Sequence, residues 1–202
     1  MHRAIIEKDG HLFVSVTTVN GLIQDENLIR WRGDVGNDFA DERMQIGRDK
    51  GNRGHDLLQL VNDGKDYKID DKELEPWEKE CIDGYKNWLG TYVDEIHLVE
   101  KQLFSVHFGV HGKPDFVFRL KGDDHYSIGD FKFGNYIDKK KIAMQLSGYD
   151  MLCECNGIKV KNWFYFHLNK GWKLPEIIAQ SEHASAKNAF LQLKNVFIYF
   201  KT

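Results

Sequence analysis

Two short apolar runs, Ala4-Ile5-Ile6 and Leu12 to Val16, flank the turn dipeptide Asp9-Gly10, and together they predict a β-hairpin. Thr17 or Thr18 can then cap a helix carrying Leu22, Ile23, Leu28 and Ile29 as far as Trp31. After a loop over Gly33–Asp38, the helical period resumes from Phe39 to Val61. A break is expected near Gly51 or Gly54, because glycine weakens a helix interior. Asn62-Asp63-Gly64-Lys65 stops this helix. A third helix, Leu74 to Leu89, starts with Pro76 in its first turn and spaces Leu74, Trp77, Cys81, Tyr85 and Trp88 for core packing.

Beyond residue 94 the pattern turns to strands. Glu95–Phe104, Gly112–Leu120 and Tyr126–Phe133 predict a three-stranded meander, with a turn at Lys121-Gly122-Asp123-Asp124. A helix over Lys139–Cys155 follows, then strands near Asn162–Leu168 and Trp172–Ala179. Ser181 can cap a closing helix that carries Ala189, Phe190, Leu193, Phe197 and Phe200. The expectation is one α/β domain over residues 1–202. A mainly helical part to about residue 94 precedes a central mixed sheet flanked by helices.

Composition adds limits. Hydrophobic residues at 42% and aromatics at 13% suffice for a core, which argues against disorder. No apolar run reaches the roughly 18 residues of a membrane helix, so no membrane role is expected. The polar start MHRAIIEKDGHLF does not read as an export signal. Three cysteines (Cys81, Cys153, Cys155) are too few for a disulfide framework and fit a reducing, cytoplasmic setting. Cys153-Glu154-Cys155 is more often incidental than a metal site. The net charge of -3 does not announce a nucleic-acid binder, but an enzyme cutting phosphodiesters gathers acids at its metals and bases along its groove.

The chemistry concentrates in Gly112-Lys113-Pro114-Asp115 and Gly129-Asp130-Phe131-Lys132. Asp130 and Lys132, two apart on a strand, leave the same face, while Phe131 and Phe133 leave the other for the core. The intervening turn lies midway between Asp115 and Asp130, so antiparallel pairing brings the two carboxylates together. Two carboxylates can hold one or two Mg²⁺ or Mn²⁺ ions, which lower the pKa of a bound water and screen charge on a phosphate. A lysine beside them can orient or deprotonate that water. Asp-x-Lys alone is usually a surface ion pair. Its coincidence with the other residues gives it weight.

These motifs resemble the PD-(D/E)xK nuclease superfamily, in particular its RecB-like exonuclease branch with phage-encoded members. Pro114-Asp115 matches the first motif and Asp130-Phe131-Lys132 the second. The branch carries Gln-x-x-x-Tyr on the next helix, matched by Gln145 and Tyr149, which four-residue spacing sets on one helical face. It also places a histidine on an upstream helix, matched by His55. The family leaves residues between glycine and histidine, whereas here Arg53-Gly54-His55 run together, with Gly51 four before the histidine. Glu100, before the first motif, fits a carboxylate supporting the metal through a water. Val16-Thr17-Thr18-Val19 and Leu28-Ile29-Arg30-Trp31 resemble the leading helical region of phage members, so the likeness spans roughly residues 14 to 170.

The resemblance implies a restriction-endonuclease-like core. It implies a metal held by His55, Asp115, Asp130 and the backbone carbonyl of Phe131, with Lys132 as catalytic base or water-positioning group. Gln145 and Tyr149 would orient the lysine or contact phosphate. It implies no iron–sulfur cluster, since relatives with one use four cysteines. The substrate would be DNA with an end or a single-stranded segment, in phage or bacterial recombination, replication or repair, with a phage or host recombination or replication protein as the partner such a role implies. Oligomeric state stays open. DNA contacts are expected from Arg48, Lys50 and Arg53, which lead into His55, and from Lys139, Lys140 and Lys141, which lead into Gln145. By default each cluster is a solvated helix face. Trp31 and Arg32 can stack on unpaired bases, though burial of Trp31 is the commoner outcome. A structure-specific endonuclease and a catalytically silent DNA- or protein-binding module are the competing readings.

Overall fold

The apolar strands divide between two sheets in a computed structural model that describes residues 4–201. In chain order the elements are β1 (Ile5–Lys8), β2 (His11–Ser15), α1 (Val16–Asn20), α2 (Glu26–Val35), α3 (Asn37–Asn62) and α4 (Pro76–Tyr92). There follow β3 (Val93–Val99), β4 (Leu103–Ser105), β5 (Val110–Gly112), β6 (Phe116–Leu120), β7 (Tyr126–Lys132), α5 (Lys139–Cys155), β8 (Val160–His167), β9 (Glu176–Ile178) and α6 (Gln180–Lys201). The chain is α/β, with mixed sheets flanked by helices. A five-stranded sheet runs β3-β6-β7-β8-β9, and a four-stranded sheet runs β1-β2-β5-β4. Among the described residues no helix is long and apolar enough to cross a membrane.

Alternation on the five-stranded sheet sorts its two faces. Phe116, Phe118, Phe131, Phe164 and Phe166 point one way, against Tyr85 and Trp88 of α4 and Leu58 of α3. Val117, Ile128, Trp163 and Tyr165 point the other way, towards α5. From Ile142 to Cys153 every residue of α5 is buried, because β4 and β5, α1 and α6 close around it as well. A helix enclosed on all sides carries its polar side chains into the core only where they have partners. Gln145 and Tyr149 are therefore the informative positions on α5.

Several elements depart from the sequence expectation. The strand expected over Glu95–Phe104 ends at Val99, and Leu103–Ser105 joins the other sheet. The turn between them holds Glu100 at φ 45°, where its N–H donates to the Asp115 carbonyl (3.0 Å). Gly112–Leu120 is likewise split by Lys113-Pro114-Asp115, since β5 pairs with β2 and β4 while β6 pairs with β3 and β7. The helix expected from Thr17 to Trp31 is two helices. The cap of the first is Ser15, and Asp25 caps the second by accepting from the N–H groups of Asn27 (2.9 Å) and Leu28 (3.3 Å).

The α3 helix runs unbroken through Gly51 and Gly54. Tertiary packing accounts for the second glycine, because a Cβ at Gly54 would stand 2.4 Å from the Phe133 ring. Ser181 lies inside the first turn of α6 and does not cap it. Phe190 and Phe197 are buried on that helix, while Phe200 faces solvent.

Candidate active site

The β6–β7 hairpin supplies the centre. Its register pairs Phe116 with Gly129, and one step further Asp115 stands opposite Asp130. A Cβ on Gly129 would lie 2.2 Å from the Phe116 ring, so only glycine lets the strands pair here. Asp115 Oδ2 accepts from the N–H of Phe131 at 2.7 Å, which fixes this carboxylate against β7.

Around this hairpin the site has two sides. On the first, His55, Glu100 and Asp115 place one ligand atom each within 4.8 Å of one another. His55 reaches over from α3, its Nδ1 3.5 Å from Asp115 Oδ2, and its ring lies edge-on to Phe131 and Phe133 at 5.9 and 5.3 Å. The aromatic face thus sets the position of the imidazole. On the second side, Lys132 Nζ is 2.5 Å from Asp130 Oδ2 and donates to Gln145 Oε1 at 3.1 Å. Gln145 Nε2 donates to Asp130 Oδ1 and to the Tyr149 hydroxyl, both at 3.2 Å, and Oε1 also accepts from Asn20 at 3.3 Å. Every bonding position of the amide is engaged in orienting its neighbours.

The electrostatics are uneven. Burial pushes the Asp115 carboxyl up to about 8, and the Asp130 charge adds to the shift, only partly offset by Lys132. Burial and the Asp115 charge likewise raise Glu100 to about 7. Burial lowers the His55 pKa, which keeps the imidazole neutral and able to ligate a metal. Burial raises the Tyr149 phenol, so it stays protonated. Two carboxyls held where ionising is costly, beside a neutral imidazole, are only partly offset by Lys113 and Lys132. A divalent cation accepting oxygen and nitrogen ligands fits that deficit. Glu100 sits at this group directly, whereas Asp130 is engaged by Lys132 and Gln145.

These residues line one open cavity of about 530 Å³. It also takes in Ser15, Gln102, His111 and Lys113, which the sequence did not single out. Ser15 stands beside His111 because β2 and β5 pair in parallel, and Gln102 Nε2 lies 3.2 Å from His111 Nδ1. Only Lys113, next to Pro114-Asp115, had a local signal.

The basic clusters fall mostly elsewhere. Arg53 pairs with the buried Glu78 at 2.6 Å and donates to the Glu73 carbonyl (2.9 Å), which ties α3 to α4. Arg48 bonds Gln45 on its own helix. The Lys50 ammonium donates to the Asn169 carbonyl and lies 4.4 Å from the Trp77 ring centre. Lys139 pairs with Glu176 (2.6 Å), and Lys140 is exposed. Of these cations only Lys141 shares a hollow with Lys132 and Gln145. Arg32 ties α2 to α3 through Asn37 (2.9 Å) and Asp41 (2.8 Å), and Trp31 is half-buried beside it. No protein-family model matches the chain, and no curated protein matches its sequence.

Proposed function

We propose that this chain is a metal-dependent nuclease of the PD-(D/E)xK type, with a restriction-endonuclease-like core and RecB-like exonuclease activity on DNA. The observation that carries the reading is the convergence of His55, Glu100 and Asp115 with the Asp130–Lys132–Gln145 network in one cavity. His55, Glu100 and Asp115 would hold Mg²⁺ or Mn²⁺, with Asp130 facing the same space. The ion would supply charge for the phosphate and acidify the attacking water.

The chain's own residues do the rest. Lys132 orients the attacking water, as its contacts with Asp130 and Gln145 hold the ammonium beside the carboxylates, and the water gives up its proton to solvent. The water oxygen forms the new bond to phosphorus, and the departing strand oxygen leaves with a proton from solvent. Gln145 fixes the distance between Asp130 and Lys132, and Tyr149 backs Gln145 from within α5.

The test is cleavage of linear and of covalently closed DNA with Mg²⁺ or Mn²⁺. The proposal expects degradation of linear DNA that is lost in Lys132→Ala. Cutting of closed circles would shift the reading to a structure-specific endonuclease. No cleavage of either substrate with either metal would leave a binding module.

A further inference from the structure

A second concavity, about 870 Å³, runs along the helical arm formed by α2 and the first half of α3. Its lining includes Trp31, Phe39, Arg43, Lys50, Phe133 and Tyr136. The arm is thinly packed: α2 has no buried residue, and α3 buries only Ala40 before Gly54. Phe39 is 45% exposed and Tyr136 65%, so both aromatic side chains present surface to solvent. Arg43 lies over the Phe39 ring at 5.1 Å, while Lys50, also in the lining of this wall, turns its ammonium to the Asn169 carbonyl and the Trp77 ring. The acid on this wall, Asp25, is engaged in capping α2.

The groove is joined to the catalytic cavity. A smaller hollow between them shares Asp25 and Tyr136 with the groove, and Lys132 and Gln145 with the cavity. A strand with a phosphate at Lys132 would therefore have its next nucleotides over Tyr136 and then Phe39. Aromatic faces inside and cations at the edge match a ligand with flat apolar rings and an anionic backbone. A partner helix would need the apolar floor but would have no use for Arg43 and Lys141. Paired bases cannot offer their faces to such a platform.

We infer that this groove seats the unpaired bases of a DNA strand running from the catalytic cavity, so that the substrate reaches Lys132 single-stranded. The inference rests on the nuclease reading for the identity of the strand.

The test is polarisation binding in EDTA, which needs no catalysis. The probes are an end-labelled oligothymidylate and an oligonucleotide of equal length with abasic sites. Wild type should bind the base-bearing strand about tenfold more tightly. Phe39→Ala and Tyr136→Ala, both at exposed positions, should each remove most of that advantage while keeping the native circular dichroism spectrum. Equal affinity for the two probes overturns the inference, and so does an advantage untouched by either substitution. Self-association of the wild type that Phe39→Ala abolishes, with oligonucleotide binding unchanged, also overturns it and makes the groove a contact between copies. Cleavage of DNA without base preference removes the groove and leaves the nuclease. Base preference without cleavage keeps the groove and removes the nuclease.

Discussion

The two faces of the five-stranded sheet solve opposite problems. One face is closed by rings: Phe116, Phe131 and Phe166 pack around Tyr85 with centroids 5.2 to 5.9 Å away. The other is filled by apolar side chains under α5 until Asp130 and Lys132, where it opens into a polar cavity with unbalanced charge. The first face gains stability from burial. The second gives stability up, because Asp115 and Glu100 are held where ionising is unfavourable. The proposed chemistry sits on the charged face, and the aromatic face aims His55 at it through Phe131 and Phe133.

Substitutions on each face should therefore move stability and activity differently. The largest effect is expected for Asp115→Asn, which should cut cleavage roughly 10³-fold by removing a proposed metal ligand. The same change should raise the unfolding midpoint of the metal-free protein. A carboxyl whose folded pKa lies at about 8, against an ordinary 3.8, loses stability as pH rises through that interval. Thermal melts of wild type and Asp115→Asn should diverge as pH climbs from about 4 to about 8, with the variant the more stable. A gap that closes over that range would contradict the electrostatic account.

On the aromatic face, Phe131→Ala should cost about 3–5 kcal/mol in denaturant unfolding and lower activity only through that loss and the displaced imidazole. Gly54→Ala is the next smaller perturbation. Its Cβ would meet the Phe133 ring, so α3 must shift, at a cost of about 1–3 kcal/mol. If Gly54→Ala keeps wild-type stability, α3 does not pack on Phe133 as described. The smallest effect is expected for Asn20→Ala, which removes one 3.3 Å bond to Gln145 and should change stability by about 1 kcal/mol or less.

What the sequence disclosed follows the range of each interaction. Asp130 and Lys132 share a face by strand alternation, and Gln145 and Tyr149 meet by helical spacing; both are local rules. The opposition of Asp115 and Asp130 was legible because a hairpin is symmetric about its turn. The divided strands were not legible. Nothing local tells Leu103–Ser105 to leave β3's sheet, since the choice depends on β5 pairing with β2, far away in the chain. The same pairing brought Ser15 and His111 to the cavity. Arg53 read as a phosphate ligand beside His55 because its partner, Glu78, lies on another helix. Glu100 gained a more direct place at the cluster because of a turn at positive φ that no propensity favours. The apolar pattern of Leu28 and Ile29 promised burial, yet both are exposed on the arm, at 40% and 52%.

The most direct measurement is anomalous diffraction from a crystal soaked in Mn²⁺. One strong peak is expected between His55, Glu100 and Asp115, lost in Glu100→Gln crystals and in His55→Ala crystals. A protein that cuts DNA with Mn²⁺ yet shows its peak elsewhere, or none at this cluster, would contradict the account.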